Sequence, residues 1–309
     1  MRSTRLLWRV AGIAGLLATL LFVFGFGYAV KDILFPSAAG EFDGAQTPDR
    51  QDNMLSQDKI NILALGDSLT KGTGDQTGEG YVGKVKKGLE AAYKKPVFIW
   101  NYAVNGQLSE QLLMQLNAAD SQLPGFVKQA NVIMLTIGGN DLNRAANIAG
   151  GSAPASPAPG APAVSPGTAV TPAPTAQATP KPPSASGTAA LPESLNLDFD
   201  SLRKQLPAAA DKLAAILAKL AELNPKARIV YVGLYHPYLD SDPDRIGSPV
   251  IQEWNAKAFA SANRYANVTV VPTYDLFERE QTRYLSVDHF HPNALGYERM
   301  AERVLQVLE

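Results

Sequence analysis

INILALGDSLT, residues 60–70, is the stretch on which the fold turns. Its first six residues form a continuous apolar-rich run, as expected of a strand buried on both faces of a sheet. Gly66 then permits a sharp turn, and Ser68 is left at the strand's carboxyl end, where open α/β sheets bind their ligands. Working outward, short apolar runs alternate with helical patterns. Residues 81–93 are helical in composition and 97–102 (VFIWNY) read as a second strand. A helix is expected over 108–123, and 132–137 (VIMLTI) form strand three. Residues 211–223 carry Leu213, Ile216, Leu217, Leu220 and Leu223 at the spacing of one helix face. Strand four follows at 228–234, a helix at 250–264, strand five at 268–271 and a closing helix at 293–308. Such alternation implies one α/β domain over 59–309, its parallel sheet covered on both faces.

Two segments do not belong to that pattern. Residues 10–30 carry no charge over 21 positions, which as a helix matches the roughly 30 Å core of a bilayer. Arg2, Arg5 and Arg9 precede it, whereas Lys31 after it is offset by Asp32. That bias predicts a cytoplasmic tail at 1–9, a transmembrane signal anchor at 10–30 and an extracytoplasmic remainder. The run is long for the apolar region of a cleaved signal peptide, usually about 7–15 residues. Residues 31–58 are polar and read as a stalk. Residues 151–192 hold 11 of the 22 prolines and one charged residue, Lys181. With almost no large apolar side chains to bury, this stretch cannot offset the entropy of ordering and reads as a disordered insertion.

The rest of the composition narrows the chemistry. A net charge of −1, from 28 basic and 29 acidic residues, gives no electrostatic case for nucleic acid. The absence of Cys excludes disulfides, thiolate metal sites, a cysteine nucleophile and a lipidated cysteine. A serine nucleophile at position 68 would need a base, and only three histidines are available. Asp288 and His291 are three apart in SVDHFHPN (286–293), so in one turn the carboxylate can orient the imidazole. His289 adjoins Asp288 and points elsewhere by the same spacing. His236, beside Pro237, suits a structural or rim role. Strand two runs into Asn105-Gly106 and strand three into Gly138-Gly139-Asn140-Asp141. These offer a closely approachable N–H and an amide for a developing oxyanion. Ser68, Gly106, Asn140 and the Asp288/His291 pair thus all fall beyond strand ends on one edge of the sheet. Asp240, Asp242 and Asp244 resemble the start of a calcium loop, but Arg245 and Ile251 stand where such a loop needs Gly and Glu. Lys84, Lys86, Lys87, Lys94 and Lys95 read as a solvated helix face.

The four blocks together resemble the GDSL or SGNH hydrolases. Gly66-Asp67-Ser68-Leu69 matches the first block, Gly106 the second, Gly138-Gly139-Asn140-Asp141 the third and Asp288-His289-Phe290-His291 the last. The tail His291-Pro292-Asn293-Ala294-Leu295-Gly296-Tyr297 is similar to that of bacterial lipase/acylhydrolases. The resemblance covers the globular domain and not the anchor, stalk or insertion. It implies a three-layer flavodoxin-like fold with a five-stranded parallel sheet in the order 2-1-3-4-5. It also implies a serine esterase with Ser68, His291 and Asp288 as triad, and the N–H groups of Ser68 and Gly106 with Asn140 as oxyanion donors. No cofactor, metal or obligate protein partner is expected. The substrate is an ester of lipid or lysophospholipid type, with a carbohydrate or cell-wall O-deacetylase, or a non-catalytic tethered binding module, as the other readings.

Overall fold

The computed structural model describes residues 8, 12–13, 15–22, 25–26, 57–145 and 198–308. The chain divides into two compact units, Met1–Asp49 and Arg50–Glu309. In the first, every described residue is helical, and Ile13, Leu16, Leu17, Leu20, Leu21, Phe22 and Phe26 are exposed. Among the described residues no helix is long and apolar enough to cross a membrane. The other positions of the expected 10–30 span, nearly all of the tail and stalk, and the whole 151–192 insertion lie outside the described residues.

In the second unit, β1 (Ile60–Gly66), β2 (Val97–Asn101), β3 (Val132–Thr136), β4 (Arg228–Val232) and β5 (Val268–Val271) form a parallel sheet in the order β2-β1-β3-β4-β5. Strand residues alternate between two cores, because successive side chains point to opposite faces. Ile60, Ile62, Ala64, Val132, Met134, Val230 and Val232 face α2 (Gly80–Tyr93) and α10 (Ala294–Leu308). Leu63, Leu65, Ile133, Leu135, Ile229 and Tyr231 face α3 (Ser109–Asn117), α4 (Leu123–Gln129), α6 (Phe199–Leu223) and α7 (Ser248–Ala262). Short helices α1 (Ser68–Lys71), α5 (Gly139–Ala145), α8 (Tyr274–Glu278) and α9 (Gln281–Tyr284) complete the unit.

The strands and their order agree with expectation, while two of the expected helices differ. The helix expected over 108–123 is two helices. Ala118 leaves helical geometry at ψ 128°, and Pro124 sits in the first turn of α4, where a missing N–H costs nothing. The helix expected from 211 begins at Phe199, 12 residues earlier, and runs through Pro207. Leu202 and Leu206 extend its buried stripe, so tertiary packing outweighs the proline, and Asp198 caps it by accepting from Ser201 N at 2.9 Å. Helices α1, α5, α8 and α9 were not anticipated, being too short to show a period.

Where β3 ends, the backbone turns against α7. Gly138 adopts φ +107°, and a Cβ there would lie 2.0 Å from the Trp254 ring. The indole donates to Tyr231 Oη at 2.8 Å, and Tyr231 donates to the Ile137 carbonyl at 2.9 Å. Gly138→Ala therefore meets both backbone strain and a fully buried indole. It should lower the unfolding free energy by about 3 kcal/mol, read from urea titration; a loss under about 1 kcal/mol would mean the turn can move away from Trp254.

Candidate active site

Ser68 is the first residue of α1 and only 5% exposed. Its position follows from Gly66, at φ +105°, where a Cβ would fall 1.7 Å from the Thr136 carbonyl oxygen. No residue with a side chain can bring β1 so close to the end of β3. Beneath the serine, Asp67 caps α1 by accepting from Leu69 N at 3.1 Å, and Thr136 Oγ1 donates to the same carboxylate oxygen at 2.6 Å. Thr70 Oγ1 lies 2.7 Å from Thr136 Oγ1 and 2.8 Å from Tyr81 Oη, extending the chain of hydroxyls into the core. Burial raises the Asp67 carboxyl above its ordinary value despite these hydrogen bonds. Thr70, Tyr81 and Thr136 were not singled out from sequence; the one signal was a threonine within the apolar run VIMLTI.

The histidine that faces Ser68 comes from the loop between α9 and α10. His291 Nε2 lies 2.8 Å from Ser68 Oγ, across 223 residues of sequence, and His291 Nδ1 lies 2.7 Å from Asp288 Oδ2. The other carboxylate oxygen accepts from Ser286 Oγ at 2.6 Å, Phe290 N at 3.0 Å and His291 N at 2.9 Å. Partial burial would raise the Asp288 carboxyl, but these bonds, the one from His291 foremost, hold it well below the usual carboxylate range. The loop is closed by a bridge between Leu285 and Pro292. Asn293 then starts α10, its side chain accepting from Leu295 N and Gly296 N at 3.0 Å. His289 takes φ +54° and is exposed. Among the described hydrogen bonds its ring joins neither Ser68 nor Asp288. Tyr235, also unforeseen, donates to the Phe290 carbonyl at 2.6 Å, and the Phe290 ring meets His291 edge-on at 4.8 Å. Burial keeps the Tyr235 phenol protonated well beyond its ordinary range, so it remains a donor.

The other two blocks are stitched to each other. Asn140 Nδ2 donates to the Gln107 carbonyl at 3.1 Å, next to Gly106, and leaves its second amide N–H for another acceptor. Asp141 accepts from Ser109 N at 3.0 Å and Ser109 Oγ at 2.8 Å, its carboxyl raised by burial. Among the described hydrogen bonds the N–H groups of Ser68 and Gly106 have no acceptor. Ser68, Gly106, Asn140, Asp288 and His291 are thus all at the carboxyl edge of the sheet. Ser68, His291 and Asp288 are joined in one line, with Asn140 linked to the Gly106 turn. An arrangement of this kind can deprotonate a hydroxyl and receive negative charge on a neighbouring oxygen.

His236 stands apart from that line. Its Nε2 lies 3.0 Å from Asp242 Oδ2, and its Nδ1 accepts from Tyr238 N at 3.3 Å. Burial pulls the imidazole below its ordinary pKa although Asp242 acts the other way. Asp242 also accepts from Ile246 N at 2.9 Å and Gly247 N at 2.7 Å, so it is a loop fastener. On α2, Lys86 pairs with Glu90 at 2.7 Å, and Lys84 and Lys87 face Glu79.

The model of the GDSL-like lipase/acylhydrolase family matches residues 64–299, which include all four blocks. The chain belongs to this family. Its activity is therefore the hydrolysis of ester bonds, as a GDSL-type esterase or acylhydrolase. The chain is 29% identical to the uncharacterized protein YpmR of Bacillus subtilis (strain 168), over 82% of this chain and 83% of that one. It is 25% identical to the spore germination lipase LipC of Bacillus licheniformis, over 79% of this chain and 94% of LipC. Among solved structures, the lipase Lip_vut3 from a goat rumen metagenome superposes with a TM-score of 0.59 at 22% identity, covering 81% of this chain and all of that one, a likeness of fold.

The depressed Asp288 carboxyl links this site to acid stability. A carboxylate held below its unfolded value of about 4 stabilises the fold fully above that pH and loses the contribution as pH falls. Unfolding free energies at pH 5 and pH 3 should therefore differ less in Asp288→Asn than in the unsubstituted protein. Because the carboxylate is partly exposed, solvent reduces the difference. Equal acid losses in the two proteins would mean that these hydrogen bonds do not favour the ionised form in the fold.

Proposed function

We propose that the chain is a membrane-anchored, extracytoplasmic serine esterase that cleaves carboxylic esters of lipid or lysophospholipid type through a Ser68-His291-Asp288 triad. The observation that carries this reading is the unbroken line of hydrogen bonds from Ser68 Oγ through His291 to Asp288. Ser68 Oγ attacks the ester carbonyl carbon while His291 Nε2 takes its proton, and Asp288 holds the imidazole and stabilises its charged form. The tetrahedral oxyanion is met by the N–H groups of Ser68 and Gly106 and by the free amide N–H of Asn140. Collapse breaks the bond to the alcohol, which leaves with the proton from His291. Water then attacks the acyl-serine as His291 accepts its proton; the bond from Ser68 Oγ to the acyl carbon breaks, His291 returns the proton to that oxygen, and the carboxylic acid departs.

Lipid-type esters are favoured by the lipase named among its relatives and by the apolar N-terminal segment. The anchor reading is supported by the exposed side chains of Ile13, Leu16, Leu17, Leu20, Leu21, Phe22 and Phe26, a density of bare apolar groups that soluble surfaces rarely carry. It predicts that the full-length protein stays with the membrane after alkaline carbonate washing and that its domain is digested by protease added outside intact cells. Release into the wash, or protection from the protease, would overturn it.

Ser68→Ala should lower kcat for short p-nitrophenyl esters by on the order of a thousandfold or more, with an unchanged far-UV spectrum. It should also abolish covalent labelling by a fluorophosphonate. His291→Ala should be similarly impaired, whereas His289→Ala should keep most of its activity. Retained activity and labelling in Ser68→Ala would sink the triad, and the reverse order of the two histidines would reassign the base.

A further inference from the structure

Residues 286–291 carry both Asp288 and His291, and most of their polar contacts are made among themselves. Ser286 N donates to the His291 carbonyl at 2.7 Å, and His289 N donates to the Ser286 carbonyl at 3.0 Å. Asp288 takes its hydrogen bonds from Ser286, Phe290 and His291. Such internal bonds give the loop its shape but do not fix where it sits over the serine. Among the described hydrogen bonds, two leave it. One joins His291 Nε2 to Ser68 Oγ at 2.8 Å, and the other runs from Tyr235 Oη to the Phe290 carbonyl at 2.6 Å. We infer that Tyr235 is a positioning residue for deacylation, holding His291 in place through Phe290 once Ser68 carries the acyl group. The inference rests on the triad proposed above.

The first of those two bonds does not survive the reaction. In the free enzyme the Ser68 hydroxyl donates to the neutral imidazole. After acylation the serine oxygen has no proton to give, and a neutral imidazole whose Nδ1–H is directed at Asp288 offers Nε2 only as an acceptor. The link between them is then gone. Yet His291 must still take a proton from the water that attacks the acyl carbon, so its ring has to stay within hydrogen-bond reach of that water. Tyr235 is placed to keep it there. It lies three residues beyond β4, is 5% exposed, and stacks on the Phe277 ring of α8 with centroids 4.0 Å apart. Its acceptor, the Phe290 carbonyl, opens the peptide that leads into His291, and the Phe290 ring meets the imidazole edge-on. Tyr238 also packs against the Phe290 ring, with centroids 5.7 Å apart. A ring contact of that kind fixes distance loosely, whereas a hydrogen bond fixes direction as well. A base displaced by about 1 Å can cost two orders of magnitude in rate.

The test is Tyr235→Phe in the full-length protein, which removes one oxygen and keeps the ring that stacks on Phe277. Rapid-quench mass spectrometry with p-nitrophenyl butyrate follows acyl-Ser68, and steady-state release of p-nitrophenol gives kcat/KM, which reports acylation. Decay of acyl-Ser68 should slow by on the order of tenfold or more, while kcat/KM falls by less than about threefold. A merely structural loss would lower both together. If Tyr235→Phe does not fold, Phe277→Leu, which removes the stacking partner and keeps the Tyr235 hydroxyl, should show the same split. Unchanged decay overturns the inference and leaves the esterase intact, and so does an equal loss in decay and in kcat/KM. If the unsubstituted protein forms no acyl-Ser68 and a fluorophosphonate leaves that serine unlabelled, the triad itself falls, and the role of Tyr235 with it.

Discussion

Strand β1 is hydrogen-bonded along both edges, to β2 and to β3, and covered on both faces by separate apolar cores. A strand so enclosed has no freedom to slip, because a shift of one residue would exchange its two apolar faces and break both ladders. Its carboxyl end is the fixed point around which the rest of the site is arranged. Gly66 presses against Thr136, Asp67 draws a hydroxyl from the same threonine, and Ser68 is left with one direction in which to present its oxygen. The second and third blocks are placed relative to this point by strands β2 and β3 and are tied to each other through Gln107 and Ser109.

Three aspartates at this edge meet different fates for one reason. Asp67 and Asp141 are buried deeply enough that desolvation exceeds what their hydrogen bonds return, and their carboxyls are pushed upward. Asp288 sits nearer to solvent and accepts four bonds, so its charge is favoured. Ionisation is most favoured at Asp288, which faces His291, and less favoured at the two buried carboxyls. Burial depth and donor count sort the groups, with no difference in residue type.

How much of this was legible beforehand depended on the kind of signal. Fully buried parallel strands announce themselves as apolar runs, and all five lay where INILAL, VFIWNY and their counterparts pointed. Their spatial order was carried by the four-block resemblance, since periodicity contains no information about which strands are neighbours. Asp288 and His291 were legible because their partnership is local. Tyr235, Gln107 and Thr136 were not, because each acts through contacts with residues far along the chain. The true start of α6 was not legible, because the stripe of leucines it packs against the sheet carries the helix through Pro207 against that residue's local preference.

The 223 residues that separate Ser68 from His291 have a temporal meaning. A chain made from its amino end carries the serine long before it has the imidazole that comes to face it. The loop that bears His291 is gathered only when Asn293 starts α10 and that helix docks beside α2. Until then the hydroxyl has no imidazole beside it. The contact between serine and imidazole therefore forms only with the final helix, last of all the parts of this edge.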